Sequence, residues 1–429
     1  MLQTSEFILD GYAVSLRTGF LPETLPLVKL PDRLYEPWED IASALPTLIQ
    51  NGNIRQSIEA LPVMSTANLQ SESEWQRAYL MLAFFTHAYI WGGEKPKEIL
   101  PPAISSPFLE ISRHLELPPC ATYAALVLWN YTAQSSEPDL TNADKLSLLC
   151  SFTGTKDEEW FYMISAALEA RGAKLVPVML SAIDAVKTND SQRLASLLQD
   201  FAQGIHDLCL ILERMSEKCA PPVFFHQLRP FLAGSKNMAA AGLPRGVFYD
   251  RGDGQGEWHQ YSGGSNAQSS LIQALDLFLG IDHSATGELQ ANKTSQPSVK
   301  HPYLQEMRNY MPGPHRRFLE LMARISNVRA YSLSHKAGSA VRDAYNEAAL
   351  MLGVFRDKHI QIVSRYIIMA ARTRPPIAES RQVNLATATS QMEDLRESNA
   401  SGFYGTGGTV LIPFLKQTRD ATKAAACYT

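Results

Sequence analysis

Apolar residues recur at helical spacing through almost the whole chain, and the strict alternation of a half-buried strand is scarce. This excludes sandwiches, barrels and doubly wound sheets, and sets the expectation of an all-α protein. Successive segments carry the pattern: WEDIASALPTLIQ, IRQSIEAL, SPFLEISRHLEL, ATYAALVLWNYTA and DSQRLASLLQDFAQGIHDLCLILERMSE. The longest apolar run, Tyr79–Trp91 (YLMLAFFTHAYIW), is too short to span a bilayer and contains His87, so it reads as a buried core helix. The first thirty or so residues are irregular and punctuated by prolines. The glycine-rich stretch GLPRGVFYDRGDGQGEWHQYSGGSNAQSS reads as loop with a short hairpin.

With 429 residues, 45% of them hydrophobic, the chain can bury the cores of two domains. The polar, turn-rich segment AQSSEPDLTN suggests a division into a small N-terminal helical domain, residues 1–147, and a large C-terminal helical domain, residues 148–429. The net charge of −4 and the lack of a basic run argue against nucleic acid as a partner. Five scattered cysteines without a CxxC pair argue against a zinc site or a disulfide framework. No basic, then apolar, leader is visible, so the expected location is the cytoplasm, with no membrane partner.

The chemistry-bearing residues fall in a few stretches. In FRDKHIQIVSRYIIMA, the residues at −4, +3, +4 and +7 from His359 are Phe355, Ile362, Val363 and Tyr366, so an apolar stripe contains an imidazole. It is either a core histidine donating to a carbonyl or a haem ligand, with Arg356 one turn away able to meet a propionate. In EEWFYMISAALEARG, Phe161 and Ser165 share a face at i, i+4, as an aromatic wall with one hydroxyl or as core with a serine bonded back to the i−4 carbonyl. In PPVFFHQLRPFLAG, Arg229 near Phe224 and Phe225 suits a planar carboxylate ligand. Phe224 and Arg229 are five apart, so they share one ligand only if the helix is irregular or the ligand wraps its first turn; His226 is expected to face away. SGGSNAQSSLIQALD is a small-residue turn that lets a flat ligand approach the backbone. FYGTGGTVLIPFLKQTRD enters a helix without the lysine of a P-loop, leaving a phosphate cradle, a mobile lid or a plain hinge. Tyr123 stands in the first turn after Pro118-Pro119.

Taken in order, LELPPCATYAALVLWNY, SFTGTKDEEWFYMIS, FFHQLRPFLAG, SGGSNAQSS, RNYMPGPHRRFL, FRDKHIQIVSRYI and GTGGT closely resemble the indoleamine 2,3-dioxygenase family, particularly its fungal branch. The resemblance runs from about Leu21 to about Asp420. It implies an all-α fold whose small domain caps the distal side of haem b bound in the large one. It also implies opening of the indole ring of L-tryptophan by O2 to N-formylkynurenine, on the kynurenine route towards NAD. The implied partners are L-tryptophan, O2 and a cellular reductant for the haem iron, with the protein a monomer. On this resemblance His359 matches the proximal iron ligand, Arg356 a residue near the propionates and Asp276 part of the haem surroundings. Tyr123, Phe161, Ser165 and Phe224 match the distal wall, with Ser165 tuning its polarity. Arg229 matches the clamp on the substrate carboxylate, Leu232, Gly264 and Ser265 the haem edge or pocket, and Thr406 a lid residue near the substrate ammonium. None of the matched distal positions is a histidine or a carboxylate. Asn266 stands where animal relatives have alanine, Tyr162 where others have a second phenylalanine, and the segment between Asp282 and Lys300 is longer. A haem protein that binds O2 with little tryptophan turnover is the alternative, and a cofactor-free helical scaffold a third reading. Retention of Arg229, Phe161 and Thr406 favours the enzyme.

Overall fold

A helix with one apolar face must bury it against another helix, and a helix apolar on all sides must lie at the centre. Both kinds are present. In the computed structural model the described residues are 9, 11–135, 138–281, 283, 303–372, 405–406 and 411–426. Its longer helices are α1 (Glu36–Gln50), α2 (Glu72–Trp91), α3 (Pro102–His114), α4 (Lys156–Gly172), α5 (Leu175–Lys187), α6 (Ser191–Glu213), α7 (Ser270–Phe278), α8 (Gly313–Ile325), α9 (Ala340–Val363) and α10 (Leu411–Ala424). The protein is all-α apart from a few short strands. No helix among the described residues is long and apolar enough to cross a membrane. Helix α2 is the central one, buried at every residue from Ala78 to Trp91.

Two apolar cores form. One joins α1, α2 and α3 to α4 and to residues of the 215–249 region. The other joins α5, α6, α7, α8 and α9, with Leu9, Val14 and Phe20 from the N-terminal stretch. Packing therefore runs across residue 147 in both directions. Leu168 of α4 and Ile362 of α9 touch both cores. Near the first core, Arg77 of α2 meets Glu39 of α1 at 2.5 Å with both side chains buried, and Glu39 also accepts the Leu30 N–H at 2.8 Å. These bonds supply the partners that a buried ion pair requires, and they tie the proline-rich entry to the helices.

The glycine-rich stretch contains the expected hairpin, β2 (Val247–Asp250) against β3 (Gly256–His259). It also has a partner the sequence did not announce, since β1 (Ile99–Leu100) pairs with β2 in parallel. The segment ATYAALVLWNYTA departs from its helical reading. Only one wide turn forms, Ala124–Leu128, and the chain is extended again by Thr132. Every residue from Ala121 to Tyr131 is buried, so its apolar spacing marks no single face. The Asn130 side chain donates to the Cys150 carbonyl and accepts its N–H at 3.0 and 2.8 Å, supplying bonds that a helix would otherwise make.

The start of α4 explains the SFTGTKDEEW motif. The Thr155 hydroxyl accepts the Glu158 N–H as the helix cap. Buried Glu158 turns back to accept the Phe152 and Thr153 N–H groups at 2.8 and 2.7 Å and the hydroxyls of Ser151 and Thr153. This is a variant of the capping box. It fixes the helix that carries Phe161, Ser165 and Glu169 on one face.

Candidate active site

Between the two cores lie two adjoining lobes enclosing about 1110 and 910 Å³ of space, part of it open to solvent. Both are lined by His359, Tyr123, Leu212, Met215, Asn266, Ala267, Phe414 and Leu415. Phe161, Phe224, Arg229, Leu232, Gly264, Ser265 and Thr406 line the first lobe. Ser165, Asp276 and Arg356 line the second. All twelve candidate residues thus meet around one space.

His359 projects from α9 into both lobes. Burial, and then the nearby Arg356 charge, lower its pKa to about 4, so the imidazole is neutral. No hydrogen bond holds its ring among the described residues, and a lone pair is available to a metal. Arg356, one turn earlier, is bonded through Nη2 to both oxygens of Asp276 at 2.6 Å. Burial pushes the Asp276 carboxyl up, but Arg356 and His283 outweigh it and hold the group below its ordinary range. The Arg356 Nε is buried and has no hydrogen-bond partner among the described residues. Among those residues no cluster of three or more His, Cys, Asp or Glu side chains could hold a metal ion. A single neutral histidine in a cavity of this size fits a metal that arrives in its own macrocycle, with the free Arg356 donor aimed at an acidic substituent.

Phe224 and Arg229 meet because of an irregular turn. Residues five apart in an α-helix are roughly 140° apart about the axis. Here Phe224–Leu228 form a π-helical turn, closed by the Arg229 N–H on the Phe224 carbonyl, and both side chains line the same lobe. Pro230 supplies the reason. It has no N–H for the His226 carbonyl and its ring would clash there, so the preceding turn widens. Two further π-helical turns border the cavity, Ala124–Leu128 directly after Tyr123 and Ser364–Met369 directly after Val363. Such turns concentrate at functional sites. His226 lies off the cavity wall, edge-on to Phe225.

Arg229 is fully buried, and desolvation lowers its pKa to about 10. It remains charged at neutral pH. Phe161 and Phe224 pack at 4.8 Å between ring centres and form the aromatic wall. The Ser165 hydroxyl donates to the Phe161 carbonyl at 3.2 Å, the back-bonded alternative, while the residue still lines the second lobe. Glycine is required at 263, where a Cβ would lie 2.0 Å from the Leu232 carbonyl oxygen; a Cβ on Gly264 would lie 2.2 Å from the Leu126 methyl, which would have to swing aside. This irregular segment also receives Thr406. The Thr406 hydroxyl donates to the Gly264 carbonyl at 2.6 Å, and the Gly263 N–H donates to the Thr406 carbonyl at 3.0 Å. Gly407, Gly408 and Thr409 of the same motif lie outside the described residues.

One wall residue escaped the sequence reading. Glu169 is buried on the second lobe, where its Oε1 accepts from Tyr123 (3.0 Å) and Ser269 (2.6 Å) and its Oε2 has no hydrogen-bond partner among the described residues. Desolvation pushes its pKa up to about 7. The signal was available, since Glu169 continues the Phe161–Ser165 face at i+4.

A profile of the family described as "Indoleamine 2,3-dioxygenase" matches residues 8–425. The chain is 43% identical to an indoleamine 2,3-dioxygenase of Penicillium citrinum over 98% of its own length and 89% of the relative's. It is 38% identical to an indoleamine 2,3-dioxygenase of Saccharomyces cerevisiae, covering 98% and 94%. It is 36% identical to a 6-hydroxytryptophan 2,3-dioxygenase of Fusarium equiseti, covering 96% of each. With a match of this extent and a neutral histidine set in a two-lobed cavity, the chain belongs to the indoleamine 2,3-dioxygenase family.

Proposed function

We propose that this protein cleaves the indole C2–C3 bond of L-tryptophan, placing both atoms of O2 in the product N-formylkynurenine and feeding the kynurenine route towards NAD. Coarser than this, the family match makes the chain a haem-dependent dioxygenase of tryptophan-like substrates. The observation that carries the finer reading is the buried Arg229 guanidinium in the same lobe as the Phe161–Phe224 wall and His359. A planar aromatic ring with a carboxylate is the ligand this lobe complements.

When bound, haem iron supplies the activation of O2. His359 would hold the iron and the free Arg356 donor a propionate. The protein's own contribution is positioning. Arg229 takes the substrate carboxylate, Phe161 and Phe224 flank the indole, and Thr406 closes over the Gly263–Gly264 segment near the ammonium group. Ser165 is no base in this scheme: its hydroxyl keeps its proton and donates it in a hydrogen bond to the Phe161 carbonyl, and a neutral hydroxyl binds a second proton only very weakly. The apolar lining excludes water from the reacting atoms. We further infer a cytoplasmic monomer that depends on a cellular reductant.

The test is anaerobic loading with haem, reduction and addition of L-tryptophan and O2. N-formylkynurenine should accumulate, and His359→Ala should lose the native Soret band and the product together. An unchanged Soret band and rate in His359→Ala would refute the assignment. A second substrate is favoured by one observation. Tyr162 lines the first lobe, and its phenol has no hydrogen-bond partner among the described residues. A hydroxyl on the indole would complement it, and one relative is named for 6-hydroxytryptophan. A kcat/KM for 6-hydroxy-L-tryptophan above that for L-tryptophan, lost in Tyr162→Phe, would make the hydroxylated compound the preferred substrate.

A further inference from the structure

We infer that His87 is a positioning residue that clamps the Tyr123 segment to the Arg229 segment and thereby sets the width of the substrate lobe. The inference rests on the substrate reading of that lobe. His87 sits four residues before the C-terminal end of α2 and is 2% exposed. Its two ring nitrogens are both engaged, and by different elements. Nδ1 lies 2.7 Å from the Phe231 carbonyl oxygen, and Nε2 lies 3.0 Å from the Ala121 amide nitrogen.

The amide can only donate, so Nε2 must accept. Nδ1 must then carry the proton and donate to Phe231. Only this neutral tautomer satisfies both partners, since a protonated ring would set Nε2–H against the Ala121 N–H. Burial favours the same form and lowers the pKa to about 4. A lone core histidine needs one such bond. Here the ring bridges two backbone groups 110 residues apart and bonds directly to both.

The bridged residues stand next to the chemistry. Ala121 is two residues before Tyr123, and Phe231 is two after Arg229 and one before Leu232. Tyr123, Arg229 and Leu232 all line the first lobe. One helical turn further along α2, the Trp91 indole N–H donates to the Ala233 carbonyl at 2.9 Å. Helix α2 thus holds the backbone after Arg229 through His87 and Trp91, and the backbone before Tyr123 through His87 and through Tyr79, whose hydroxyl lies 2.7 Å from the Pro118 and 3.0 Å from the Cys120 carbonyl oxygen; of these side chains only His87 bonds both segments. Neither His87 nor Trp91 touches the cavity, so their effect on substrate is through the two wall segments.

The test compares haem-loaded His87→Leu, which keeps an apolar side chain but has no ring nitrogens, with His87→Gln, whose amide can both donate and accept. Loss of the two bonds should raise KM for L-tryptophan about tenfold in His87→Leu, with kcat changed less and the Soret band intact. His87→Gln should recover most of the loss. Amide exchange should quicken in His87→Leu at residues 120–124 and 231–234 together, and not in α6. An unchanged KM, or His87→Gln as impaired as His87→Leu, would overturn the clamp. If the unaltered protein turns over no tryptophan, the functional reading fails. The exchange comparison then decides the clamp alone, upheld by faster exchange in both segments and overturned by no change in either.

Discussion

Arg229 and Glu169 show how much burial does to a single charge. A buried guanidinium is costly unless an anion meets it, and a substrate carboxylate held there is desolvated with it. Arg229→Ala should leave haem incorporation intact and remove on the order of 2–5 kcal/mol of substrate interaction. In steady-state kinetics that is a loss of roughly 30- to 5,000-fold in kcat/KM. Glu169 works in the opposite sense. Its folded pKa of about 7 lies above its ordinary 4.5, so folding tightens the hold on this proton. The resulting stabilisation is complete below about pH 4.5 and is lost as pH rises through about 7. Its full loss amounts to about 3 kcal/mol, since each pKa unit is about 1.4 kcal/mol. Urea midpoints of Glu169→Gln should therefore vary less between pH 5 and pH 8 than those of the unaltered protein. Parallel pH profiles for the two would show that Glu169 is ionised throughout.

At the scale of elements, the π-helical turn over Phe224–Leu228 decides where Arg229 points. Such a turn is an α-helix with one extra residue. Pro230→Ala returns an N–H to meet the His226 carbonyl and removes the ring clash, so it should let the turn close to α-helical register and carry Arg229 roughly 140° away from Phe224. The substitution is expected to reduce kcat/KM about as much as Arg229→Ala does, while Soret absorbance persists. A Pro230→Ala variant with unaltered kinetics would mean that the wide turn is incidental. The C-terminal helix is an element of the same kind. Leu411, Phe414, Leu415 and Thr418 of α10 line the cavity, and Asp357 of α9 pairs with Arg419 at 3.3 Å and Lys423 at 2.6 Å. These pairs are partly exposed, so each contributes at most about 1 kcal/mol. Asp357→Ala should quicken amide exchange in α10 and leave that in α5 unchanged.

For the whole molecule, the cavity lies at the seam of two cores, with Phe224, Val363, Tyr366 and Leu411 contributed by one and Leu212, Leu271 and Phe355 by the other. A group bound there buries surface from both cores. Haem should therefore raise the thermal midpoint in a concentration-dependent way. At a free concentration about 100 times Kd the stabilisation is about 2.7 kcal/mol. Calorimetry of the haem-free protein titrated with haem measures this directly. A midpoint unmoved by saturating haem would place the group elsewhere. Exchange should slow chiefly in α9 and α10, which border the seam, and little in α3, which does not.

Local period was legible in the sequence wherever a helix has two unlike faces. His359 with Arg356, and Phe161 with Ser165, could be placed together because backbone bonds between residues four apart set their spacing. The all-α class followed from the same regularity, and the long motifs carried the family resemblance. Period was mute where a segment is buried on every side, as from Ala121 to Tyr131, because no face differs from another. It also misleads where a proline forces a wider turn, as before Pro230. The pairing of Arg356 with Asp276, eighty residues away, and the second bond of His87 were decided by the tertiary structure alone. So was the raised pKa of Glu169. Desolvation and long-range hydrogen bonds depend on which distant residues share a space, and that information is absent from the spacing of neighbours along the chain.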